Sequence, residues 1–468
     1  MGGMSYNQLM EKKNEIMKKS LGLDYEQFDS RGISFDYEKL MAVADYSMDD
    51  LFKIQSEVKV GKTPLVELKN LNRAVKKLSE PGKGAKIYLK DEAANPSGSY
   101  KARRAFLSVY HAQKEGYDGV VAATSGNYGE AVASQANMHN LDSIIVQEVF
   151  DSRGYGQPEI LEKGRKCETY GAEVLQLTVG PELFYTFLNI LDETGFFNAS
   201  LYTPFAIKGV EPLGYEIVEG IKELEGKAPD AVVVTNAGGG NLTGTARGVL
   251  TAGAEETEII ASSVDLSGLH MASDKDFNRK SFTTGHTGFG IPFATKPDRS
   301  DVPYNAARPL RYIDRYVTIS QGEVFYITEA LSQLEGMERG PAGNTSLATA
   351  FALAREMDED QVIVVQETEY TGAGKHVTAQ LSFAREENNI EIKKGDPEKQ
   401  VPGENIIIPE SPEQIRARDL DLDQIKSSYL KNAVSEIDKD ELTNTELEFL
   451  ANEIKENVDY VKKALSEL

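Results

Sequence analysis

Seven short apolar runs, most of them rich in β-branched residues, recur along the middle of the chain and are separated by stretches of helical character. They are KIYLK (86–90), GVVAAT (119–124), SIIVQEV (143–149), AEVLQL (172–177), AVVVTN (231–236), EIIASSV (258–264) and QVIVVQE (361–367). A strand with one wet face alternates apolar and polar residues. These runs are nearly continuous, so both faces are expected to be covered. Such strands, interleaved with helices like the Ala-rich EAVASQANMHN (130–140), imply an α/β fold of mostly parallel sheets under helical layers. In that class ligands bind at the loops beyond the carboxyl ends of the strands.

The 468 residues suffice for two or three domains. No stretch approaches the roughly 18 apolar residues of a membrane span. The start, MGGMSYNQLMEKKNEIMKK, has no apolar core of a secretory signal. One cysteine, Cys167, excludes internal disulfides and a thiolate metal cluster within one chain. A soluble, cytoplasmic protein is the expectation. The net charge of -23 argues against nucleic acid and anionic membranes as partners. It also gives a phosphate no general attraction, so backbone N–H groups and helix N-termini must hold one. Residues 5–20, with Leu9 and Ile16 at helical spacing, read as an exposed amphipathic helix, and 21–60 as an irregular or helical arm. The acidic tail from about 385 reads as a peripheral helical extension, with a docking surface for a partner as the alternative.

Three loops carry candidate chemistry. The first, Asn95-Pro-Ser-Gly-Ser-Tyr-Lys101, follows KIYLK and leads into the helix ARRAFLSVYHA. A lysine at such a helix start can act as a Schiff-base nucleophile if burial or a nearby cation lowers its pKa. Taken alone, a lysine beside two arginines reads as a solvated surface residue. The second, Thr124-Ser125-Gly126-Asn127, joins GVVAAT to a helix. Its N–H groups and hydroxyls suit a carboxylate, and Asn127 can donate to a phenolate oxygen; the plain alternative is an ordinary capped turn. The third, Asn236-Ala-Gly238-Gly239-Gly240-Asn241-Leu242, places three glycines between a buried strand and a helix. Backbone there can approach a phosphate closely. It has neither the Walker lysine nor the GxGxxG spacing.

In this order the three loops resemble those of the fold-type II pyridoxal-phosphate enzymes, a family that includes tryptophan synthase β, threonine synthase and the serine and threonine dehydratases. GKTPLVEL (61–68) and EGMERGPAGNTS (335–346) resemble two further family landmarks. The resemblance implies that Lys101 holds the cofactor and that Asn127 meets its ring hydroxyl. It implies that Gly238, Gly239, Gly240, Asn241 and Leu242 hold its phosphate, and that Thr124, Ser125 and Gly126 receive the substrate carboxylate. Thr371, in YTGAGK, falls where the family sets a Ser or Thr against the pyridine nitrogen; Thr368 competes for that place. The implied architecture is a two-domain one. A large domain (61–99 and 206–384) and a small inserted domain (100–205) flank the cofactor cleft, with a helical arm (1–60) and an acidic extension (385–468). Self-association to a dimer is expected. Ala102 departs from the threonine synthases, which have Asp after the lysine.

A closer resemblance is to the family of 2-amino-4-ketopentanoate thiolase β subunits. It is carried by VQEVFDSRGYGQPEI (146–160), VGPELFYTFL (179–188), NASLYTPFAIKGVE (198–211), SVDLSGLHMASD (263–274), KSFTTGHTGFGIPFATKPDRSDVP (280–303) and VVQETEYTGAGKH (364–376). It implies cleavage of a small amino acid with coenzyme A as cosubstrate, giving alanine and acetyl-CoA, as in ornithine degradation. It also implies a small second subunit that supplies or completes the coenzyme A site, since this chain shows no basic run for it. Cys167 reads as a packed thiol on a helix leading into AEVLQL, and the cofactor route needs no acyl-cysteine. His270, His286 and His376 lack metal spacing and receive no catalytic role, so no metal site is expected; Arg153 and Tyr155 are candidates to touch substrate. The rival readings are a fold-type II ammonia-lyase or β-eliminating enzyme and, in another class, a catalytically silent scaffold subunit.

Overall fold

The computed structural model describes residues 4–30, 33–124, 126–150, 154, 156, 158–178, 182–265, 308–370, 377–401 and 403–467. Two sheets organise them. The larger has seven strands in the order Arg418–Asp419, Arg315–Ile319, Glu258–Val264, Ala231–Thr235, Val362–Glu367, Lys86–Asp91 and Leu65–Glu67. Its five central strands are parallel, and the strand at each edge is antiparallel. The smaller has four parallel strands in the order Glu173–Thr178, Asp142–Phe150, Gly119–Thr124 and Phe197–Asn198.

The continuous apolar runs are explained by what covers the large sheet. Tyr88, Val232, Val234, Ile259, Ala261, Val362 and Val364 point into one core with Phe106, Leu213, Ile217, Leu242 and Val249 of the overlying helices. Their alternate neighbours Ile87, Leu89, Val233, Ile260, Ile363 and Val365 enter a second core with Leu71, Val324, Leu331, Leu347 and Phe351. Strand period two thus divides each run between two cores. Burying one such Val, Leu or Ile fully is worth about 1.5–3 kcal/mol.

Two helices on the first face cross at backbone contact. A Cβ on Gly214, in Glu211–Glu225, would lie 2.7 Å from the backbone N of Val249, and one on Gly248, in Gly240–Thr251, 2.9 Å from the N of Tyr215. Small residues there seat the start of the Gly240–Thr251 helix at the carboxyl end of Ala231–Thr235.

Three expectations are corrected. The N-terminal segment is two helices, Tyr6–Glu11 and Lys13–Leu21, and it is not an exposed helix: Leu9, Ile16, Met17 and Leu21 are buried. It lies on the Glu182–Thr194 helix of the small-sheet layer, where the Tyr185 hydroxyl donates to the Met4 carbonyl at 2.7 Å. AEVLQL forms Glu173–Thr178 at the edge of its sheet, with every residue at least partly exposed, rather than a strand covered on both faces. The tail is not peripheral. Arg418–Asp419 extends the large sheet, and Ile407 packs its backbone on Gly322 so closely that no Cβ fits there. Buried Glu453 accepts from Arg311 at 2.9 Å and from the Tyr429 hydroxyl at 3.0 Å.

Candidate active site

The loop after Lys86–Asp91 is tied down before the lysine appears. Asn95 donates to the Glu92 carbonyl and carboxylate, both at 2.9 Å, and its Oδ1 accepts from the Gly61 N–H at 3.0 Å. The Tyr100 N–H donates to the Thr368 carbonyl at 2.9 Å, and the Tyr370 N–H to the Gly98 carbonyl at 2.7 Å. The loop is therefore zipped to the chain leaving Val362–Glu367. The helix that follows, Lys101–Lys114, starts at the lysine itself.

The two arginines beside Lys101 are not surface residues. Arg103 is 0% exposed. It donates to Glu92 at 2.6 and 2.8 Å and to Glu216 at 2.9 and 2.8 Å, and Lys90 joins Glu216 at 2.7 Å. Thr63, in GKTPLVEL, donates its hydroxyl to Glu92. This network clamps the start of the lysine helix. Arg104 is 2% exposed and lies over the rings of Tyr202 and Tyr128, at 5.4 and 6.0 Å.

Lys101 is partly exposed, and its amine stands 4.9 Å from the centre of the Tyr100 ring. Burial pulls its pKa below the ordinary lysine value. Tyr100 and Glu369 oppose this, and Arg104 adds to it. A lowered pKa favours the neutral amine, which is the nucleophilic form.

The helix Asn127–Met138 begins at Asn127. Gly126 before it has φ +154°, a conformation L side chains rarely adopt. The Thr124 hydroxyl is already engaged: it accepts from the N–H groups of Gly126 and Gly129, at 2.9 and 3.1 Å. Thr124 thus braces the turn through its hydroxyl. The Asn127 side chain donates to the Glu369 carboxylate, which draws this helix toward the segment zipped to the lysine loop, while its Oδ1 has no partner among the described residues.

The glycine loop sits against the same place. Gly239, at φ +82°, precedes the helix Gly240–Thr251 without a side-chain cap. A Cβ on Gly238 would lie 2.7 Å from Cζ of Tyr202, and one on Gly240 2.8 Å from Cζ of Arg104. Asn241 is buried and its Nδ2 has no partner among the described residues. Leu242 is wholly buried in the core, so only its backbone is available to a ligand.

The structure therefore brings together Lys101, Asn127, the glycine triplet with Asn241, and Thr368. Ser125, Thr371, Arg153, Tyr155, His270, His286 and His376 lie outside the described residues. Residues not anticipated from the sequence are Arg104, Tyr202, Glu367 and Glu369. Glu367, wholly buried beside Glu369 and Asp91, has its carboxyl pushed well above the usual range, first by burial. Nothing in the sequence pattern marks these side chains, because their roles depend on which loops meet.

A pyridoxal phosphate fits these residues. An amine with a lowered pKa stands at the head of one helix. A glycine-lined helix N-terminus, where an added Cβ would meet Tyr202 or Arg104, adjoins it. Buried polar atoms without partners among the described residues surround them: Ser97 Oγ, Ser99 Oγ, Asn241 Nδ2, and Nε and Nη2 of Arg104.

Cys167 lies apart, on the helix Pro158–Thr169, 1% exposed. Burial, aided by Glu130, pushes its thiol up to about 12. It is held as a thiol and is a poor nucleophile at neutral pH. Cys167→Ala is expected to keep turnover within about twofold of wild type and to lose roughly 1 kcal/mol of stability, the usual scale for a small core truncation. Steady-state kinetics beside a thermal melt test this; loss of turnover in a folded variant would assign the thiol a chemical role.

The family model described as pyridoxal-phosphate dependent enzyme matches residues 57–369. A 2-amino-4-ketopentanoate thiolase beta subunit from Acetoanaerobium sticklandii is 61% identical over 465 residues, covering 99% of each chain. A second protein of that name, from an unknown prokaryotic organism, is 62% identical over 464 residues, 99% of this chain and 98% of that one. Among solved structures, a cysteine synthase from Entamoeba histolytica aligns with a TM-score of 0.55 at 19% identity, covering 73% of this chain and 91% of that one; this likeness speaks for the fold alone. The chain belongs to the pyridoxal-phosphate dependent enzymes and, within them, to the family of the 2-amino-4-ketopentanoate thiolase β subunits.

Proposed function

We propose that this chain is the large subunit of a two-subunit cytoplasmic enzyme that cleaves 2-amino-4-ketopentanoate with coenzyme A into alanine and acetyl-CoA. The observation that carries this is the 61% identity running end to end with a thiolase β subunit. The same reading divides the chain into a large domain (61–99 and 206–384) and a small one (100–205), with the reacting groups in the cleft between them.

Pyridoxal phosphate, when bound, supplies an electron sink in conjugation with the substrate's amino nitrogen. The residues of the chain do the rest. Lys101 Nζ carries the cofactor and, once neutral and free, takes the proton from the substrate's Cα. Asn127 would meet the cofactor's ring oxygen, and the backbone N–H groups of Gly238–Leu242 would hold its phosphate. Thr124, Ser125 and Gly126 would receive the substrate carboxylate, and Thr371 or Thr368 would meet the pyridine nitrogen. The sulfur of coenzyme A adds to the C4 ketone, the C3–C4 bond breaks, and the acetyl group leaves on sulfur. The electrons of that bond reside on C3 until protons return to C3 and Cα, which completes alanine.

The strongly acidic chain is a poor host for the phosphates of coenzyme A. The small second subunit is therefore assigned their binding. The test is formation of alanine and acetyl-CoA from the amino ketone, coenzyme A and pyridoxal phosphate, with and without that subunit. Turnover with both subunits and at least about 10²-fold less with the large one alone is expected, the scale on which loss of positioning slows an enzyme. No cleavage in either case, with ammonia released instead, would return the chain to the lyases.

A further inference from the structure

Arg104 follows Lys101 by three positions on one helix, so the two side chains share a face. Its neighbour Arg103 is matched by two carboxylates. Arg104 is as deeply buried, at 2% exposure, and hydrogen-bonds the Tyr100 side chain, yet it pairs with no carboxylate among the described residues, and its Nε and Nη2 have no hydrogen-bond partner there. A desolvated guanidinium without an anion is strongly unfavourable.

Its direction is equally unusual. The guanidinium points at Gly240, the first residue of a 12-residue helix, where a Cβ would fall 2.8 Å from its central carbon. The N-terminus of that helix carries unsatisfied N–H groups and the positive end of its dipole. Two positive poles thus face each other in a spot walled by the rings of Tyr128 and Tyr202. They repel unless a negative group lies between them.

We propose that Arg104 is a side-chain ligand of the cofactor's phosphate, closing from the lysine helix the cup that Gly238–Leu242 opens from the opposite side. This rests on the cofactor reading above. It makes the phosphate site of this chain a charged one, built by a guanidinium as well as by backbone donors. The salt link also ties the cup to the helix that bears Lys101, so that cofactor binding fixes the lysine's own position.

The test uses the full-length chain stripped of cofactor, as wild type, Arg104→Gln and Arg104→Lys. Each is titrated with pyridoxal 5′-phosphate and with pyridoxal, which keeps the aldehyde and lacks the phosphate, and binding is followed by visible absorbance. Arg104→Gln is expected to weaken the phosphorylated ligand by about 10- to 100-fold, the scale of a charge-assisted hydrogen bond, and pyridoxal by less than about twofold. Arg104→Lys is expected to recover part of the loss. Equal weakening of both ligands, or unchanged affinity for the phosphorylated one, overturns the proposal. Unchanged cofactor affinity with weaker substrate binding overturns it too, and gives Arg104 to the substrate carboxylate. If wild type binds neither aldehyde, the cofactor reading itself falls, a result distinct from any failure confined to the variants.

Discussion

Lys101→Ala is expected to leave turnover about 10⁴-fold or more below wild type, and the purified protein without the visible absorbance of a bound aldehyde. The lysine has no substitute close by. Lys90 is buried against Glu216 at 2.7 Å and donates to the Thr63 carbonyl at 2.6 Å, and Lys163, near Gly126, is tied to Glu130 at 2.8 Å, so both amines are engaged by partners away from the loop that bears Lys101. Lys101 stands at the head of its helix, where burial and Arg104 favour the neutral amine. Lys101→Arg separates charge from nucleophilicity: it keeps a cation at the helix start but cannot form an imine, and it is expected to be as inactive as the alanine variant. Borohydride reduction followed by peptide mass spectrometry provides the second measurement. The cofactor mass should sit on the peptide containing Lys101. A label on another lysine, or activity in Lys101→Ala above a tenth of wild type, would move the reacting amine elsewhere.

The large sheet was legible because its strands are buried on both faces, which leaves an unbroken apolar signature. EIIASSV coincides with its observed strand residue for residue, as GVVAAT does in the small sheet. Strands of two or three residues, such as Leu65–Glu67 and Arg418–Asp419, carry too few side chains to register. They exist because a sheet edge supplies their hydrogen bonds. RYVTI (315–319) is hidden by its flanking charge, since Arg315 pairs with Asp419 across the edge. At the site, the loops could be read from glycine content and from position after a strand. What those loops touch could not. Glu369 meets Asn127, and Arg104 meets Gly240, only because the fold brings together residues far apart in sequence. The burial of Arg103 and Arg104 runs against residue type, since most arginines are solvated. Only the presence of Glu92 and Glu216 at the same place explains the first of them.

That pairing makes Arg103→Met the substitution expected to harm stability most. Methionine fills similar space, so the change removes charge and hydrogen bonds more than volume. It leaves Glu92, at 0% exposure, and Glu216 with Lys90 as their remaining cation. Breaking a buried pair from one side costs about 3–5 kcal/mol, because the surviving charge stays desolvated. An exposed pair such as Lys83–Asp358 is worth at most about 1 kcal/mol, so Asp358→Ala is the control. If desolvated carboxylates are the cause, Arg103→Met with Glu92→Gln should be more stable than Arg103→Met alone. The network also has a sign in pH. Burial works to raise the Glu216 carboxyl, but Arg103 and Lys90 outweigh it and hold it at about 2, below its ordinary 4.5. A depressed folded-state pKa gives stability that is complete above about pH 4.5 and is lost as pH falls toward 2. Denaturant unfolding of wild type from pH 6 to pH 3 should therefore show a decline that is shallower in Glu216→Gln. An Arg103→Met protein within 1 kcal/mol of wild type at pH 7 would mean that the clamp on the lysine helix is set by packing alone.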